Sequence, residues 1–288
     1  MQYRFRQYQE TQISSRPRIW WCPTGPLAFL PIHAAGIYAS DKSCAGPCVS
    51  DFVISSYIPT ISSLIQRMRS VQHSSNGTST RLLLVSQPST PDLTPIPAAE
   101  IETGELQKMM EKENFESSLI KDEAATIARV KEEMVSCSWV HFACHGIQDV
   151  EPLKSGLHVH DGRLELLEMM KQRIEDTDHA FLSACQTGKG DEKLADEVVH
   201  LAAGMLAVGY RGVIGTMWSI SDKHGPRIAQ EFYQHLLDTT LKEGGDRRQL
   251  DSTRAAHALD SSIRKIRAEL GDGERALAIW VPYAHFGI

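Results

Sequence analysis

Two residues of this chain have the type and setting for nucleophilic chemistry. His145 and Cys185 each end a short apolar run, Trp139-Val140-His141-Phe142-Ala143-Cys144 before the histidine and Ala180-Phe181-Leu182-Ser183-Ala184 before the cysteine. Gly146 follows the histidine directly, and Gly188 comes shortly after the cysteine. A free thiol has a pKa near ~8.5 and is a weak nucleophile until it loses its proton, so it needs a base or a helix N-terminus beside it. If the two runs are neighbouring parallel strands, both residues lie at the C-terminal edge of the sheet, where ligand sites of open parallel sheets collect. The N–H groups of Gly146 and Cys185 would then serve as an oxyanion hole, each donor worth on the order of 3 kcal/mol in comparable enzymes. On spacing alone, a strand-end histidine and a buried thiol explain the pair more simply.

Other chemistry is poorly supported. Cys44 and Cys48 lack the spacing of a zinc knuckle and have no two further ligands close by. His158 and His160 alternate with apolar neighbours on one face of a strand, without a third ligand, and are read as structural. Gly209, Gly212 and Gly215 follow a helix instead of opening one, which argues against a dinucleotide fingerprint. No metal or cofactor is expected.

Composition limits the class. With 288 residues, 42% hydrophobic and 23% charged, the chain is an ordinary globular protein. Its 36 acidic and 30 basic residues give a net charge of -6, so no positive field invites nucleic acid or an anionic membrane. No apolar run is long enough for a membrane span, and the N-terminus is polar and aromatic rather than signal-like. Six scattered cysteines are too few for a disulfide framework, which agrees with a reducing compartment. The expectation is a soluble, cytoplasmic protein.

The elements that must position His145 and Cys185 follow from the hydrophobic pattern. Residues 1–17 carry no period and read as a flexible or partly docked extension, leaving 18–288 as the domain. A strand at 18–21, a Pro/Gly turn and a returning strand at 27–30 predict a hairpin, followed by a short helix from Pro31 to about Tyr38. Strands are predicted at 81–86, 118–120, 139–144, 180–184 and 213–218, with helices at 61–71, 98–114, 123–135, 164–173, 194–208, 221–241 and 253–270. Asp161-Gly162 signals a hairpin turn, 88–97 is a proline-rich loop, and the aromatic tail 278–288 is predicted as an edge strand. Alternating strand and helix argue for crossover units and a parallel sheet.

A resemblance adds to this reading. The run from Trp139 to Gly146, and Phe181-Leu182-Ser183-Ala184-Cys185-Gln186-Thr187-Gly188, resemble the two signature blocks of the CHAT domain, a caspase-like cysteine-peptidase family related to separase. Trp20 to Leu27 with Leu30 to Ala35 is similar to the family's opening hairpin, Gly212 to Asp222 to its strand ending in Trp-x-x-x-Asp, and Trp280 to Gly287 to its closing strand. The wording is most similar to fungal members. The resemblance implies an α/β caspase-like sandwich, a mostly parallel central sheet with helices on both faces. It further implies His145 as general acid/base and Cys185 as nucleophile of an endopeptidase that works through a thioester in a signalling, cell-death or defence pathway.

In the related separases an aspartate of the Trp-x-x-x-Asp stretch lines the pocket for the residue before the cut. Asp222 matches it and would select Arg or Lys by a charge-assisted bond, although an aspartate there is equally a helix cap. Asp191 is the alternative specificity carboxylate or a solvent-facing charge, and Gln186 stands where many relatives have an acidic residue. The implied partners are a protein or peptide substrate and an upstream helical-repeat or sensor protein. The competing reading, from another class, is a catalytically silent CHAT fold that acts as an interaction module.

Overall fold

The structure, a computed structural model, describes residues 16–38, 46–71, 79–147, 149–172, 174, 176–186, 198–218, 220, 223–242, 249–271 and 273–288, and of Cys185 and Gln186 it describes the backbone. The strands are β1 (Arg18–Trp21), β2 (Ile54–Tyr57), β3 (Arg81–Ser86), β4 (Glu116–Lys121), β5 (Trp139–Ile147), β6 (Gly156–Val159), β7 (Gly162–Glu165), β8 (His179–Gln186), β9 (Gly212–Thr216) and β10 (Tyr283–Gly287). They join in the order β1-β2-β10-β9-β8-β5-β3-β4, and the β6–β7 hairpin attaches to the end of β5. Along that path every pairing is parallel except β10 with β9.

The uninterrupted apolar strands behave as a sheet covered on both faces requires. In β3, Leu82 and Leu84 enter one core with Leu106, Trp139, Phe181, Phe232 and Tyr233, while Leu83 and Val85 enter the other with Val130, Phe142, Met205 and Leu206. Helices Ala98–Lys112, Gly225–Lys242 and Ala255–Leu270 cover the first face; Ile127–Ser136, Leu166–Lys171 and Val198–Val208 cover the second. This is the predicted α/β architecture, a mostly parallel sheet flanked by helices. Among the described residues no helix is long and apolar enough to cross a membrane.

Four local expectations are corrected. The opening hairpin does not form: Gly25 (φ +57°) and Pro26 begin a short 3-10 turn, Gly25–Phe29, and β1 pairs in parallel with β2 instead. Two prolines remove ladder donors there, and Leu27 and Leu30 are left exposed with no face to bury. After Pro31 only the single turn Ile32–Ala34 is helical. The closing strand is internal, lying between β2 and β9, because Tyr283, Ala284 and Phe286 are apolar on both sides and all five of its residues are buried. Finally, β5 and β8 run longer than their apolar cores suggest, so that His145, Gly146 and Cys185 lie within strands and not beyond them.

Residues 1–15 of the expected extension and Cys44 lie outside the described residues. Arg16, at the end of that extension, donates from Nη1 to Asp260 Oδ1 at 2.9 Å.

Candidate active site

Strands β5 and β8 are adjacent and parallel, and their register pairs His145 with Cys185 as Cα partners. In the same register His141, two pleats earlier and on the same face as His145, stacks on its own partner Phe181, with ring centroids 4.7 Å apart. Gly146 follows in β5, opposite Gln186 of β8 and Leu157 of β6. A Cβ on Gly146 would come within 3.3 Å of the Ala184 Cβ, so the glycine allows a tight fit between the two strand ends.

The proline-rich loop after β3 holds the histidine. Gln87 N–H donates to Ala143 O at 3.0 Å and Ile96 N–H to Pro88 O at 2.9 Å, while Ile96 and Ala99 pack on Ala143. This folding of the loop brings the Thr94 carbonyl 2.8 Å from His145 Nε2. A carbonyl can only accept, so Nε2 carries the hydrogen, and in the neutral ring the lone pair is on Nδ1. His145 is 1% exposed, and Nδ1 is buried with no hydrogen-bond partner among the described residues. The arrangement fixes the imidazole through Nε2 and commits Nδ1 to no group among the described residues.

On the same face lies a buried polar group that the reading of the sequence did not anticipate. Glu102, on the helix that follows the loop, accepts from His141 Nε2 at 2.8 Å and from Ser183 Oγ at 3.0 Å. Tyr233 contacts His141 Nδ1 at 3.4 Å. His141 precedes His145 by four residues, two repeats of the pleat, and Ser183 lies two residues before Cys185 in β8, so one carboxylate ties both strands together on the face of His145. Polar residues at core positions of β5 and β8 were the available signal; their partner on a distant helix was not legible.

Asp222 and Asp191, the two candidate specificity carboxylates, lie outside the described residues. Trp218, which opens the Trp-x-x-x-Asp stretch, packs half-buried against the core. His158 does not share a strand face with His160: it sits half-buried in β6, while His160 is exposed in the turn.

The family model of the CHAT domain matches residues 5–287. The chain belongs to the CHAT domain family. No curated protein matches it in sequence. Among solved structures this CHAT domain is similar to the Arg-specific cysteine proteinase gingipain R, with TM-score 0.56 and 12% identity over 98% of this chain and 66% of that one. It is similar, too, to a chain of the Saccharomyces cerevisiae separase–securin complex, with TM-score 0.53 and 15% identity over 83% of this chain and 14% of that one. A complex of the Porphyromonas gingivalis RgpB pro- and mature domains gives TM-score 0.53 at 11% identity, over 98% of this chain and 67% of that one. The CHAT domain thus has the fold of these caspase-like cysteine peptidases, and it spans less than two thirds of the first two chains it resembles.

Proposed function

We propose that the chain is a cysteine endopeptidase that cuts peptide bonds after Arg or Lys, with residues 18–288 as its CHAT domain. The observation that carries this reading is the pairing of His145 with Cys185 on adjacent parallel strands, with His145 Nε2 tied to Thr94 O and Nδ1 without a partner among the described residues. In the proposed reaction Nδ1 takes the thiol proton and the thiolate of Cys185 attacks the substrate carbonyl. The N–H groups of Gly146 and Cys185 hold the oxyanion. His145 then gives its proton to the departing amine, which leaves a thioester for water to hydrolyse. No metal or cofactor takes part in these steps.

The preference for a basic residue rests on Asp222, with Asp191 as the alternative, since a carboxylate in the pocket pairs with a guanidinium or ammonium. An Arg-specific proteinase among the structural neighbours supports the same choice. Substrates are proteins or peptides, the setting is a cytoplasmic signalling or defence pathway, and an upstream sensor or helical-repeat protein is the partner that orders the site.

The test is labelling with a covalent peptide probe that ends in arginine. An adduct on Cys185 that is absent from Cys185→Ala supports the peptidase. No adduct, or equal labelling of the variant, would leave the silent interaction module as the better account.

A further inference from the structure

One residue that the sequence assigned to structure stands in the row of the candidate pair. In the antiparallel ladder between β5 and β6, Ile147 faces Gly156 and Gly146 faces Leu157. The same register carried one residue further, back along β5 and forward along β6, would bring His158 opposite His145. Leu157 and Val159 point into the core of the opposite face, which puts His158 on the face of His145. His158 is in turn the Cα partner of Arg163 in β7. Cys185 is the Cα partner of His145, so with the β5–β6 register extended by that one residue the four positions Arg163, His158, His145 and Cys185 fall along one row across β7, β6, β5 and β8.

His158 and His145 each present a buried nitrogen with no hydrogen-bond partner among the described residues, Nε2 of His158 and Nδ1 of His145. Buried imidazole nitrogens are normally paired, so two of them on neighbouring residues mark a place for a small hydrogen-bonding molecule. Arg163 does not fill it: Nη1 is held by Asp149 Oδ2 at 3.0 Å and by Lys154 O at 3.2 Å. Burial, then the nearby Arg163, then His145 keep the His158 pKa below the ordinary histidine value, so its ring is neutral near pH 7 and able to accept a hydrogen bond.

We propose that His158 is a positioning residue on the leaving-group side of His145, holding the water that hydrolyses the thioester. The inference rests on the peptidase reading above. His158 borders His145 on the side away from Cys185, and the water must approach along the path by which the amine departed. The water oxygen bonds to the acyl carbon while its proton passes to His145 Nδ1. The carbon–sulfur bond then breaks, the proton moves on to the sulfur of Cys185, and the carboxylic acid leaves. His158 accepts the second hydrogen of the water and donates no proton in the reaction.

The experiment compares the full chain with His158→Gln and His158→Asn, using a peptide ester with arginine as its acyl residue, so that hydrolysis of the thioester limits turnover. The expected result is a fall in kcat of about tenfold or more with a matching fall in KM, leaving kcat/KM within about threefold. The acyl adduct on Cys185 accumulates, seen by mass spectrometry after acid quench, and added hydroxylamine restores turnover by replacing the water. A merely structural histidine would lower kcat and kcat/KM together, and that result overturns the inference, as do constants equal to wild type. Melting temperatures of the two variants separate loss of fold from loss of the water. A wild-type chain that forms no acyl adduct overturns the peptidase reading and this inference with it; unchanged variants of an acylating wild type overturn only the role of His158.

Discussion

His145 has one nitrogen committed to Thr94 O and one without a partner among the described residues, and in the proposed reaction this single hydrogen bond sets which atom is the base. If the histidine and the cysteine act as a unit, as proposed, their losses should not add. His145→Ala and Cys185→Ala are each expected to lower kcat/KM on an arginyl peptide by at least ~10³-fold, with the double variant no worse than either alone. Additive losses in steady-state assays would count against a shared proton transfer. At this scale the sequence was informative about reactive side chains and silent about the rest. Thr94 contributes a backbone carbonyl, which any residue carries, and the role proposed for His158 depends on a cross-strand register that alternation along its own strand cannot reveal.

The helix Ala98–Lys112 is anchored to two strands through Glu102, which is 3% exposed and bonded to His141 and Ser183. Removing one partner of such a group leaves the others buried and unsatisfied. Glu102→Ala should cost on the order of 3 kcal/mol, a drop in Tm of roughly 6–12 °C in thermal melts, while Glu102→Gln, which keeps a hydrogen-bonding end, should cost less. The closing strand offers a second test of an element's place. Gly287 in β10 has φ +93°, and a Cβ there would lie 2.2 Å from Arg211 O, a backbone atom that cannot swing away. Gly287→Ala is expected to destabilise by about 3 kcal/mol or more, measured by urea unfolding, whereas an edge strand would tolerate the change within about 1 kcal/mol. The register of this tail was legible only as an apolar, aromatic run. Its position between β2 and β9 is fixed by pairing at Phe286 with Tyr57 and at Tyr283 with Thr216.

The whole molecule carries histidines that are buried neutral. His179 is fully buried, with its ring 4.7 Å from Trp139 and stacked on Phe232, and burial lowers its pKa to about 3. His285 is held well below the ordinary value, first by burial and then by the nearby charge of Arg18. In the unfolded chain both would titrate near 6.5, so below that pH the unfolded state binds more protons than the folded one. Stability is therefore full above about pH 6.5 and is lost as the pH falls toward about 3, at roughly 1.4 kcal/mol per pH unit for each such histidine. Urea midpoints measured from about pH 7 to 5, above the range where most carboxylates titrate, should fall accordingly, and His179→Phe should flatten the slope. A wild-type midpoint independent of pH over that range would contradict the buried, neutral state.

Residue order by itself determined the alternation of strand and helix, the two-faced burial of strands such as β3, the reactive types at His145 and Cys185, and the family signature around them. Those are local properties: apolar periodicity and side-chain chemistry are written in neighbouring residues. Tertiary structure decided what depends on distant segments meeting. It placed the tail inside the sheet, carried β5 on past His145 by pairing it with β6, brought the Thr94 carbonyl to Nε2 of His145, and buried Glu102 between His141 and Ser183. Register and loop closure join residues far apart in the chain, and no pattern within either segment encodes the partner.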